Sequence, residues 1–144
     1  MKRKIILILI IIAAIIVGLV SFPYLKNRIS DSKEISIDNA RLDKAKISPG
    51  EEAEIYVSIN NKSKENDAKG VSVRVVSPSK NIVLSKDYID LGIIGAGGSR
   101  SVSFSISVLK NAYEGKYRIK IKADAEKPFR ESTEDVYLEV KAKG

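Results

Sequence analysis

Ser101-Val102-Ser103-Phe104-Ser105-Ile106-Ser107-Val108 alternates serine with a bulky apolar residue for eight positions. Successive side chains of a β-strand point to opposite faces, so this octapeptide has one oily face and one polar, uncharged face. No helix places residues that way. Exposed strand edges are usually guarded by charge, and this stretch carries none, which predicts a strand internal to its sheet.

The same period of two recurs on both sides. Upstream, Ile35 and Ile37 open it, and Ile55, Val57 and Ile59 alternate with Glu54, Tyr56 and Ser58. Val71, Val73 and Val75 come next, then the short apolar runs 82–84 and 88–91. Downstream, Tyr117, Ile119 and Ile121 alternate with Arg118, Lys120 and Lys122, and Val136, Leu138 and Val140 close the series. Ser48-Pro49-Gly50, the polar stretch 60–70, Ser77-Pro78-Ser79, the glycine-rich stretch 92–98 and Asn111 to Gly115 supply turns. The runs amount to about seven or eight strands. Alternating strands are half-buried, whereas parallel strands are apolar on both faces. The expected fold is therefore all-β: an immunoglobulin-like antiparallel β-sandwich of about seven strands over residues 35–144. Glu114-Gly115-Lys116-Tyr117 before Ile119 matches the neighbourhood of a tyrosine corner, with Ile119 where antibody domains carry a Cys.

Ahead of this domain lies a different kind of sequence. Residues 5–25 contain no charged side chain, and Met1-Lys2-Arg3-Lys4 precedes them. At about 1.5 Å per residue such a helix spans roughly 30 Å, the thickness of a bilayer core. The run is longer than a secretory signal core, and bulky residues occupy the first small position of both candidate cleavage sites. The expectation is a transmembrane helix over 5–25, a basic cytoplasmic flank over 1–4 and a short linker over 26–34. The N-terminal excess of Lys and Arg places the N-terminus inside and the C-terminal domain outside the cytoplasmic membrane. Ala14 and Gly18, four residues apart, allow close helix–helix contact.

The chain has a formal net charge of +7. Lys2, Arg3, Lys4, Lys26 and Arg28 supply five of those charges, so the outer domain is nearly neutral and nucleic acid is not its partner. There is no Cys and no His. This removes catalytic triads, Cys–His pairs and thiolate metal sites. The glycines of 95–98 lack the spacing of a phosphate loop or a nucleophile elbow. Glu51, Glu52 and Glu54, and Glu65, Asn66 and Asp67, offer oxygen atoms but no calcium-loop spacing, and solvated carboxylates are the simpler account. Neither an enzyme, nor a cofactor, nor a metal, nor a small-molecule substrate is expected. Asn61-Lys62-Ser63 is the one N-glycosylation pattern and makes Asn61 a candidate acceptor. Arg118, Lys120 and Lys122 are expected to pair with Asp135 and Glu139 across strands. The polar face of Ser101, Ser103, Ser105 and Ser107 is a candidate partner face.

Ile47-Ser48-Pro49-Gly50-Glu51, the stretch Leu91 to Phe104 and Ala112-Tyr113-Glu114-Gly115-Lys116-Tyr117-Arg118-Ile119 occur in an order that resembles the CARDB-like, S-layer-associated immunoglobulin-like domains of archaeal cell surfaces. The resemblance covers about residues 35–141. It implies a noncatalytic, membrane-anchored surface module that contacts a protein or an envelope layer. A filament or archaellum-stator-like component, or an accessory subunit of a transporter or protease complex, are the alternatives.

Overall fold

The computed structural model describes residues 31–142, which form an all-β domain of nine strands in two sheets. The strands are β1 (Ile35–Leu42), β2 (Lys46–Ile47), β3 (Glu52–Asn61), β4 (Ala68–Val76), β5 (Ile82–Leu84), β6 (Tyr88–Ile94), β7 (Ser99–Val108), β8 (Gly115–Asp124) and β9 (Ser132–Val140). One sheet runs β1-β3-β7-β5 and the other β2-β9-β8-β4-β6. The two stack as a β-sandwich. The membrane span expected over 5–25, with Ala14 and Gly18, lies outside the described residues.

The alternating octapeptide is the heart of β7. Phe104 and Ile106 are fully buried and Val108 nearly so, while the intervening serines lie on the outer face. β7 sits between β3 and β5, internal to its sheet as its lack of charge predicts. From the second sheet, Val71, Val73, Ile119, Ile121, Leu138 and Val140 meet it to make a single core. Burying each such side chain contributes about 1.5–3 kcal/mol.

The strand number is a correction. The ninth strand, β2, has two residues and pairs in parallel with β9, Lys46 beside Glu139 and Ile47 beside Val140. Two residues cannot display a period, and a parallel partner departs from an all-antiparallel sandwich. Ser48-Pro49-Gly50-Glu51 forms the expected turn. The Glu51 amide donates to the Ser48 carbonyl at 3.0 Å, and Gly50 adopts φ 88°, the left-handed value that position demands. β3 and β4 also reach further into the 60–70 stretch than their apolar residues suggest, leaving a loop of 62–67.

β1 contains the irregularity with most consequence. Its register against β3 runs Ile37 to Ile59, then Asn39 to Ser58, so Asp38 is an extra residue. The bulge reverses the parity of the residues beyond it. Ile35 and Ile37 face the core before it, and Ala40 and Leu42 pack against the core after it. Asn39 and Arg41 are thereby sent outward.

Candidate functional site

The outer face of β1-β3-β7-β5 is built by register. Ser107, Ser105, Ser103, Ser101 and Ser99 of β7 stand opposite Glu52, Glu54, Tyr56, Ser58 and Asn60 of β3. On the far side of β3, Asn39 meets Ser58 and Arg41 meets Tyr56. The four serines of the sequence motif do not behave alike. The Ser105 hydroxyl donates to Glu54 Oε1, and the Ser107 hydroxyl donates to Glu52 Oε1 at 3.2 Å. Ser101 and Ser103 make no side-chain hydrogen bond among the described residues, and they lie in the half of the face that carries Tyr56.

That half contains a shallow depression of about 170 Å³. Asn39, Arg41, Tyr56, Ser58 and Ser101 line it. The Arg41 guanidinium lies 4.9 Å from the centroid of the Tyr56 ring, a cation–π contact. Arg41 makes no ion pair among the described residues. The serine pattern points to this face, but no motif singles out Asn39 and Arg41. Their one signal in the sequence is the shift of apolar residues from odd positions, Ile35 and Ile37, to even ones, Ala40 and Leu42.

Asn61 occupies a different setting from the one its sequence pattern suggests. Its side chain is fully buried. Nδ2, the atom a glycan requires, donates to the carbonyls of Asn66 at 2.8 Å, Ile94 at 3.1 Å and Gly95 at 3.2 Å. Oδ1 accepts from the Ser63 amide at 3.0 Å. Ser63 is equally buried, and its hydroxyl accepts from the Asn66 amide at 2.8 Å. Asn and Ser two residues apart thus clasp loop 62–67 onto the turn after β6. A sugar on Nδ2 would require this clasp to open.

The other outward face carries the basic stripe of β8. Lys120 stands opposite Asp135 and Lys116 opposite Glu139. The ion pairs are diagonal rather than direct: Arg118 reaches Asp135 at 3.9 Å and Lys122 reaches Glu131 at 2.6 Å, while Glu139 pairs with Lys141. Glu131 holds the Lys122 ammonium above the usual lysine value. Lys116 and Arg74 lie over the rings of Tyr137 and Tyr88, at 6.0 and 5.4 Å. Arg118 and Lys122 of the stripe are thus paired, and the expected pairing of Lys120 with Asp135 or Glu139 is not formed among the described residues.

The carboxylates that could offer oxygen ligands to a cation serve the protein as acceptors. Glu51 Oε2 accepts from the Ser48 amide at 2.9 Å, and Asp67 Oδ1 from the Ala96 amide at 3.0 Å. Glu52 and Glu54 take the hydroxyls of Ser107 and Ser105. Among the described residues no group of three or more His, Cys, Asp or Glu is arranged to hold a metal.

Comparison with known proteins agrees with this architecture. The family model described as CARDB matches residues 34–135. The CARDB domain of the PF1109 protein from Pyrococcus furiosus, solved in complex with di-metal ions, superposes with a TM-score of 0.53 and 18% identity, covering 75% of this chain and 86% of that one. A conjugative transposon lipoprotein from Bacteroides eggerthii gives 0.53 and 6%, covering 74% and 98%. Escherichia coli alpha-2-macroglobulin in its native conformation gives 0.58 and 15%, covering 72% of this chain. The present chain spans only 6% of that large protein. At such identities the likeness is one of fold. No curated protein matches the sequence.

Proposed function

The chain belongs to the CARDB family over residues 34–135, and we propose that it is a noncatalytic contact module held at the cell surface by an N-terminal membrane anchor. CARDB domains are typically adhesion or surface modules rather than enzymes. In the proposed arrangement residues 5–25 span the cytoplasmic membrane, residues 1–4 lie inside and the sandwich lies outside. The partner is a protein of the envelope, with an S-layer component as the natural candidate for an archaeal source.

One observation carries the choice of surface. The outer face of β1-β3-β7-β5 is a broad sheet face whose centre is uncharged serine, while the opposite face is charged along β8, with Arg118 and Lys122 held in ion pairs. Interface cores are depleted in charge and enriched in Tyr and Arg, and Tyr56 with Arg41 provides that pair. Tyr56 is 41% exposed, so its ring is available for burial.

The test is a bulky charge placed in the middle of the face. Ser103→Arg should abolish the native complex on blue-native gels of solubilised membranes and leave the domain folded by circular dichroism. A complex of unchanged size and yield would remove this face from the proposal.

A further inference from the structure

The half of the serine face around Arg41 has a chemistry specific enough to name what enters it. Arg41 is exposed and makes no ion pair among the described residues. Its guanidinium is held over the Tyr56 ring at 4.9 Å. A guanidinium lying over an aromatic ring keeps N–H donors free at its rim, in the fork that matches a carboxylate. Around it stand the Asn39 amide and the hydroxyls of Ser58 and Ser101, all able to donate.

Charge on the rest of the face is disposed the other way. Glu54 and Glu52 follow next to Tyr56 along β3 on the same face, and the hydroxyls of Ser105 and Ser107 beside them already donate to them. An anion on this face is therefore met only on the side of Arg41 away from Glu54, where Asn39, Ser58 and Ser101 line the depression. The depression, at about 170 Å³, has room for a single side chain.

We infer that this depression is an acceptor subsite for one carboxylate side chain, Asp or Glu, projecting from the partner protein, with Arg41 as the forked donor and Asn39, Ser58 and Ser101 as flanking donors. The inference rests on the proposed contact face and deepens it by naming the partner's chemistry. Asp38 is the structural device behind it. Without the extra residue at the bulge, Arg41 would not share a face with Tyr56 and Ser101.

The test uses isotope-labelled full-length protein in detergent micelles and the blocked glutamate Ac-Glu-NH2 as probe. Ac-Gln-NH2, its neutral isostere, and methyl glucuronide, an acidic sugar, are the comparisons. The expected result is saturable shifts at Arg41 Nε–H and at the amides of Tyr56, Ser58 and Ser101. An isolated subsite of this kind should bind with a Kd of about 1–10 mM. Ac-Gln-NH2 should give no such shifts. Arg41→Gln should abolish them with the remaining spectrum unchanged, and Arg41→Lys should weaken binding about tenfold, since it keeps charge but loses the fork. Equal shifts with Ac-Gln-NH2, or shifts centred on Lys116 to Lys122, would overturn the subsite. Tighter binding of methyl glucuronide than of Ac-Glu-NH2 would overturn the assignment to a protein carboxylate. The two readings separate cleanly. Loss of the native complex in Ser103→Arg without probe binding at Arg41 sinks only the subsite. Probe binding with an unaffected native complex sinks the contact face.

Discussion

Tyr117 Oη donates a hydrogen bond of 2.7 Å to the carbonyl oxygen of Tyr113, four residues upstream. This is a tyrosine corner, and Ile119, two residues further on, is fully buried where an antibody domain has a Cys. The bond fastens the turn between β7 and β8, so that Tyr113 stands 80% exposed on a held backbone. Tyr117→Phe should cost about 1 kcal/mol in chemical denaturation, the net value of one such bond. Faster amide exchange in residues 109–114 than elsewhere would show that the loss is local.

Asn61 should prove structural. Alanine there removes one amide nitrogen that reaches three carbonyls, and one acceptor, from a buried clasp, leaving the carbonyls of Ile94 and Gly95 without that partner. A cost of roughly 3 kcal/mol is expected, read from the shift of the denaturation midpoint. Intact mass of the protein from its native source should show no glycan at Asn61. A glycosylated, fully folded form would contradict the clasp.

Adjacent residues of β7 should respond oppositely. Phe104 is fully buried, and Phe104→Ala should destabilise by about 3–5 kcal/mol. Ser103→Ala, on the outer face, should stay within about 0.5 kcal/mol of the parent. Denaturation curves of the two variants check the sandwich directly.

Acid should weaken the domain, and neutral pH should not. The Lys62 ammonium, 2.7 Å away, holds the Asp38 carboxyl below its ordinary value of 3.8. The Glu54 amide does the same for Asp43, donating at 2.7 Å. Both values are lower folded than unfolded. Their contribution is therefore complete above the unfolded value near 3.8 and is lost as pH falls through the folded one. With no His in the chain, no unperturbed side chain titrates between about pH 5 and 8. Thermal midpoints should be flat over that range and fall below about pH 4. The double variant Asp38→Asn, Asp43→Asn should show a smaller acid-induced fall than the parent.

Much of this architecture is legible in the residues, and the exceptions have physical causes. Ser101 to Val108 announces β7, its two faces and its internal place because alternation over eight residues has one reading. β2 is invisible because two residues hold no period. β1 misleads because Asp38 is a bulge, and its signal is a parity change spread over Ile35 to Leu42. That change hides Arg41, the residue on which the carboxylate subsite turns. Asn61-Lys62-Ser63 reads as a modification pattern because sequence gives chemistry without burial. The difference among the four serines depends on Glu52 and Glu54 lying across the ladder, which only the register between β3 and β7 establishes.

The central claim is that the serine face meets a protein at the cell surface. A photo-crosslinking amino acid at position 103, compared with one at position 137 on the opposite face, tests it in native cells. Tyr137 is 50% exposed, so a probe at that position is accessible to a neighbour. The account predicts one discrete protein adduct from position 103 and none from position 137. No adduct from 103, or the same adduct from both, would contradict it.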